Sequence, residues 1–210
     1  MKIDELTVER LNVVEPDGKP RVIISNRPRF PGIYMNGKEY RHPWRETDEA
    51  PRGGFLFFND DGDEVGGYLF HSALKDGHQT ASTMLTFDQF KQDQIMALNY
   101  NETDGKRNAG LELWDQPEGS MQPLLVKVDK AARATAKDER DAIMKEVHED
   151  GQKQGRFGER FFAGKSGPDS VVKLFDKAGN PRLVMTVTDV GEASLEFRDP
   201  QGKAVKRITP

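Results

Sequence analysis

Apolar and polar residues alternate with period two through most of this chain. Leu183, Met185 and Val187 fall at every second position, and Leu195 and Phe197 alternate with Glu196 and Arg198. Such alternation predicts strands with one dry and one wet face. The alternating stretches come in pairs around glycine-centred reversals. Residues 11–14 and 21–25 flank Glu15-Pro16-Asp17-Gly18, and 55–58 and 65–70 flank Asn59-Asp60-Asp61-Gly62. Residues 98–100 and 109–114 flank Glu102-Thr103-Asp104-Gly105. Two more pairs, 171–175 with 182–188 and 194–197 with 204–208, surround Gly179 and Gly202. Glycine tolerates φ > 0 without a Cβ clash, and the Asp or Asn before it bonds its own backbone and tightens the turn.

The turn glycines at 18, 62, 105, 179 and 202 are 44, 43, 74 and 23 residues apart. The long third interval predicts an inserted helix over residues 129–150, with Asp129 as N-cap and Gly151 as the terminating residue. Ile143, Met144 and Val147 form its apolar stripe. Residues 124–128 and 159–163 read as strands, and 74–80 and 164–169 as loops. The near-equal first intervals also raise a propeller or solenoid. The fold class expected is mainly β: an antiparallel sheet, sandwich or barrel of successive hairpins with one inserted α-helix. The organisation expected is a single β-rich domain over 1–210, with the helical insertion at about 124–155.

Strands 21–24 and 55–58 are apolar on both sides, which calls for a second sheet or a subunit contact. Exposed apolar sheet edges invite pairing, so self-association as a homo-oligomer is expected. Residues 26–52 are less regular, punctuated by Pro28, Pro31, Pro43 and Pro51, with a tight-turn dipeptide at Asn36-Gly37.

Composition narrows the picture. The 210 residues are 35% hydrophobic and 31% charged, with a formal net charge of −4. A lean core and a well-solvated surface follow. The acidic balance argues against general nucleic-acid binding, which rests on phosphate neutralisation. The absence of cysteine removes disulfides, thiolate metal sites and cysteine nucleophiles. Neither an apolar leader nor a membrane-length apolar run is visible, so a soluble, cytoplasmic protein is expected.

Candidate chemistry is sparse. Gly164-Lys165-Ser166 resembles the tail of a phosphate loop, but Glu159 stands where the first glycine belongs. The run from Asn59 to Glu64 departs from a calcium loop at Phe57 and Tyr68. No metal ligand set and no cofactor motif emerges. The densest cluster lies in the 26–52 stretch, where Arg27, Arg29 and Arg45 are interleaved with Tyr40 and Trp44 around His42. Arginine beside aromatics suits anion recognition or a protein interface. His71 ends an apolar strand and is the further acid–base candidate.

The hairpin units Glu15-Pro16-Asp17-Gly18-Lys19-Pro20-Arg21, Phe57-Phe58-Asn59-Asp60-Asp61-Gly62 and Asp176-Lys177-Ala178-Gly179-Asn180-Pro181-Arg182 resemble a group of small soluble bacterial β-hairpin-repeat proteins of unknown function. The resemblance implies a soluble β fold and no particular activity. Three function classes follow from the residues. The first is a non-catalytic binding or structural module that uses the arginine–aromatic stretch on a small-molecule or protein partner. The second is a β-barrel holding a small hydrophobic ligand, and the third an enzyme using a histidine acid–base group on an anionic substrate.

Overall fold

The computed structural model describes residues 2–43, 52–154 and 158–210. Its strands are β1 (Arg10–Val14), β2 (Pro20–Ser25), β3 (Ile33–Met35), β4 (Lys38–Tyr40), β5 (Gly53–Phe58), β6 (Glu64–Lys75) and β7 (His78–Asp88). They continue as β8 (Gln94–Thr103), β9 (Lys106–Asp115), β10 (Gly158–Ser166), β11 (Asp169–Phe175), β12 (Pro181–Val187), β13 (Ala193–Arg198) and β14 (Ala204–Ile208). Two helices, α1 (Gln122–Arg133) and α2 (Lys137–Gln154), lie between β9 and β10.

Twelve strands form one antiparallel sheet in the order β1-β2-β5-β6-β7-β8-β9-β10-β11-β12-β13-β14, and β3 and β4 pair separately. Every strand of the large sheet pairs with its nearest large-sheet neighbours in sequence. The sheet is open: β1 and β14 are its two edges. This resolves the choice among sheet, sandwich and barrel in favour of the first, and replaces the propeller with one continuous meander.

Turn chemistry explains the meander. In five reversals a residue's N–H bonds the carbonyl four positions on, while a glycine three positions on donates back to it, as in Asp176–Asn180 and Asp199–Lys203. Asp176 Oδ1 accepts from the N–H groups of Ala178 and Asn180, and Asp199 Oδ1 from those of Gln201 and Lys203. Three other hairpins turn in two residues with both φ positive: Asn36-Gly37, Asp76-Gly77 and Asp104-Gly105. The second of these lies in the stretch expected as a loop, so β6 and β7 form the longest hairpin instead. Likewise 164–166 extends β10, and the chain reverses at Gly167-Pro168.

In the β6–β7 ladder a side chain takes part in the pairing. The Gly67 N–H donates to the buried Thr86 Oγ1 at 2.9 Å, and that hydroxyl faces the Gly67 carbonyl at 3.4 Å. Thr86→Val keeps the shape and removes the acceptor, leaving a buried N–H unpaired. A loss of about 1–2 kcal/mol is expected in urea unfolding; an unchanged midpoint would show that water replaces the hydroxyl.

The single helix expected at 129–150 is two. Residues 124–128, expected as a strand, are helical because Leu125, Val128 and Ala131 recur at three-residue spacing and all three are buried. Asp129 therefore sits inside α1, not at a helix start; its carboxylate accepts from Arg133 and from the Arg41 N–H. Gly151 lies within α2. Residues 134–136 separate the helices, and Lys127 ties them by reaching Asp150 at 2.7 Å.

α1 docks on the β3–β4 hairpin. Leu125 packs with the buried Met35 and Tyr40, and Gln122 Nε2 donates to the Tyr40 hydroxyl at 3.0 Å. The hairpin in turn covers β2 and β5, where Ile23, Leu56 and Phe58 pack with Phe30, Tyr34 and Leu69. Asp63 pins it: the Asn36 N–H donates to Oδ1 at 2.6 Å and Lys91 Nζ reaches Oδ2 at 2.7 Å. Burial works to raise the Asp63 pKa, but the Asn36 N–H, Lys91 and Asn59 outweigh it and hold the carboxyl below its ordinary value.

Candidate functional site: an uncovered apolar sheet face

The sheet register places one unbroken apolar row across all twelve strands. Directly paired residues share a face. Leu11 pairs with Ile24, Ile24 with Phe55, Phe55 with Tyr68 and Tyr68 with Leu85. The row runs on through Leu98, Leu111, Ala163, Val172, Met185, Leu195 and Ile208. A parallel row on the same face links Phe87, Met96, Leu113, Phe161, Leu174, Leu183 and Phe197. Between β7 and β13 these two rows carry no charged residue, in a chain that is 31% charged.

This face lies open. Leu98, at its centre, is 51% exposed, Met185 45% and Phe70 45%. Phe57, Phe87, Leu174, Val187 and Phe197 are exposed with them. The residues of the opposite face are different in kind: Glu112, Phe162, Lys173, Val184, Glu196 and Arg207 form one cross-strand row there. Buried residues of that face include Ile23, Leu56 and Phe58 near the β3–β4 hairpin and the small cluster of Phe162, Val171 and Val184.

The apolar face has relief. On β5 and β6, Phe55, Tyr68 and Phe70 stand together, with ring centroids 6.2 Å apart for the first pair and 5.8 Å for the second. Towards the other edge, on β11 to β14, a groove of about 810 Å³ is lined by Val172, Met185, Val187, Leu195 and Ile208. The face ends in a polar network at the β8–β9 tip, where Arg107 Nε donates to the buried Glu102 Oε2 at 2.8 Å and the Tyr100 hydroxyl donates to the same oxygen. The bonds from Arg107 and Tyr100 hold the Glu102 pKa below its ordinary value.

Among the described residues, those singled out in the sequence occupy different local settings. Arg27 is exposed in a 3₁₀ turn over Arg27–Arg29. Arg29 pairs with Glu9 at 2.9 Å and lines a small cleft with Val8, Glu9 and Arg10. Tyr40 is buried against α1, its hydroxyl engaged by Gln122. His42 follows β4 and is half-buried. His71 lies within β6, paired with Ser82, not at a strand end. Trp44 and Arg45 lie outside the described residues. A further cleft of about 930 Å³ opens beside Trp114, lined also by Leu113, Pro117, Arg160 and Lys177. Among the described residues no three or more His, Asp or Glu side chains are placed to hold a metal ion. No helix among them is long and apolar enough to cross a membrane.

Leu98, Met185, Phe87 and their two rows are visible as alternating apolar positions, but alternation marks the dry side of a strand without saying what keeps it dry. No protein-family model matches the chain, and no curated protein matches it.

Proposed function

We propose that this protein is a non-catalytic binding or structural module whose working surface is the apolar face of the open sheet. The unbroken row from Leu11 to Ile208, exposed at Leu98 and Met185, carries the reading. Contiguous exposed apolar patches of this extent mark interaction surfaces, whereas scattered exposed residues do not. The dispersal of Arg27, Arg29, Tyr40 and His71 among a turn, an ion pair, a core and a strand favours this surface over a histidine-centred active site.

The groove beside Met185 also supports a second reading, a small hydrophobic ligand held on an open sheet instead of inside a barrel.

Peroxide oxidation of methionine tests both. In native cell extract Met185 is expected to react several-fold more slowly than in purified protein at high dilution, with Met144 on α2 as the reference. Equal rates at Met185 would remove the binding-surface reading. Protection that persists at high dilution would mark the tightly held small ligand.

A further inference from the structure

Resting on that reading, we propose that the occupant of the apolar face is a second copy of this chain. The two copies pack face to face about a two-fold axis that runs along the strands near β8 and β9 and reverses strand order.

Area is the first argument. Twelve strands span about 50 Å. Exposed large apolar residues run along this face from Leu11 at one edge to Ile208 at the other, a breadth that can supply the roughly 800 Å² that each partner contributes to a stable complex. The second argument is charge. The net charge of −4 opposes association between exposed surfaces, yet the two central rows from β7 to β13 are uncharged, as the core of an interface requires.

Relief is the third argument and selects the symmetry. The cluster of aromatic rings occupies the third and fourth strands in the sheet order, and the groove the ninth to twelfth. A two-fold axis between the sixth and seventh strands carries the third onto the tenth and the fourth onto the ninth. Phe55 and Tyr68 of each copy then meet the groove lined by Val172 and Met185 of the other. Both contacts form at once, as an isologous interface demands. A copy of the same sheet also has the same twist, so the two follow each other as aligned sheets about 10 Å apart.

The purified full-length chain tests this by sedimentation equilibrium at micromolar concentration. Twice the chain mass is expected for the wild type, and the single-chain mass for Leu98→Lys with an unchanged circular dichroism spectrum. Because the chain has no cysteine, Leu98→Cys provides an independent reading that leaves the face apolar. A bismaleimide reaching about 10 Å, the spacing between packed sheets, is expected to link two Leu98→Cys copies. Leu74→Cys, on the same face but at the β6 tip far from the axis, is expected to stay unlinked. A monomeric wild type overturns the proposal while leaving Met185 protection in extract to decide the broader reading. A dimer that withstands Leu98→Lys, or that fails to link through Leu98→Cys, overturns it by placing the contact elsewhere; if Leu98→Lys misfolds, the linking result decides.

Discussion

Gly66→Ala is expected to destabilise the protein by about 3–5 kcal/mol, combining strained backbone with a steric clash. Gly66 has φ 140°, a region that alanine adopts at a cost. A Cβ there would lie 2.2 Å from the Thr86 carbonyl oxygen and 3.3 Å from the Phe87 Cα. Backbone, not a flexible side-chain end, is what it meets. Strands β6 and β7 would have to part where Thr86 and Gly67 bond each other, so two stabilising features fail together. Gly77→Ala is the control, since Gly77 has φ 83° but nothing within 4 Å of its Cβ position; only the conformational cost, about 1–2 kcal/mol, applies there. Urea unfolding separates them. A Gly66→Ala midpoint close to that of Gly77→Ala would show that the sheet relaxes around the new methyl group.

The second large effect is on pH dependence. Asp88 ends β7, and its Oδ1 is buried with no hydrogen-bond partner among the described residues. Burial, with the carboxylates of Glu64 and Asp93 adding like charge, pushes its pKa from 3.8 up to about 8. The folded chain thus keeps a proton through a range in which the unfolded chain has released it. Stability falls as pH rises from about 4 to about 8, by on the order of 1.4 kcal/mol per unit where the difference is complete. Above that range the buried charge opposes folding in full. Asp88→Asn mimics the protonated form, so the variant is expected to exceed the wild type in stability at pH 8 and to lose most of the slope. Glu159 is raised in the same direction by burial and by Glu112, so the difference between wild type and variant, not the wild-type slope alone, isolates Asp88. Equal slopes for the two proteins between pH 5 and 8 would show that Asp88 ionises freely.

The hairpins were legible because their chemistry is local. Asp176 and Gly179 specify a turn within five residues, and the alternation around them specifies which side of each strand is apolar. The helical insertion was legible only in its second half. Leu124 to Val128 is a short, mostly apolar run with two valines, ambiguous between strand and helix, and the three-residue spacing of Leu125, Val128 and Ala131 becomes decisive only once Met35 and Tyr40 are there to receive them. His78 and Gln79 looked like loop because a strand near its tip, wet on both faces, has no alternation to show. The candidate surface was hardest to see. Whether Leu98 faces a covering layer or solvent depends on how strands fifty or a hundred residues apart assemble, and no local pattern reports that. Within the arginine–aromatic stretch, Tyr40 and Arg29 are close in sequence but serve a core and a surface ion pair, a division that no local pattern reports.

The meander has a consequence for how such a chain changes over evolutionary time. Apart from the two excursions between β2 and β5 and between β9 and β10, each ladder joins segments adjacent in sequence. A hairpin can therefore be duplicated or lost at the cost of rebuilding one pair of neighbouring ladders, much as units are added to a linear repeat array. Length along the sheet becomes a variable that selection tunes in steps of two strands, and with it the reach of whatever the sheet presents.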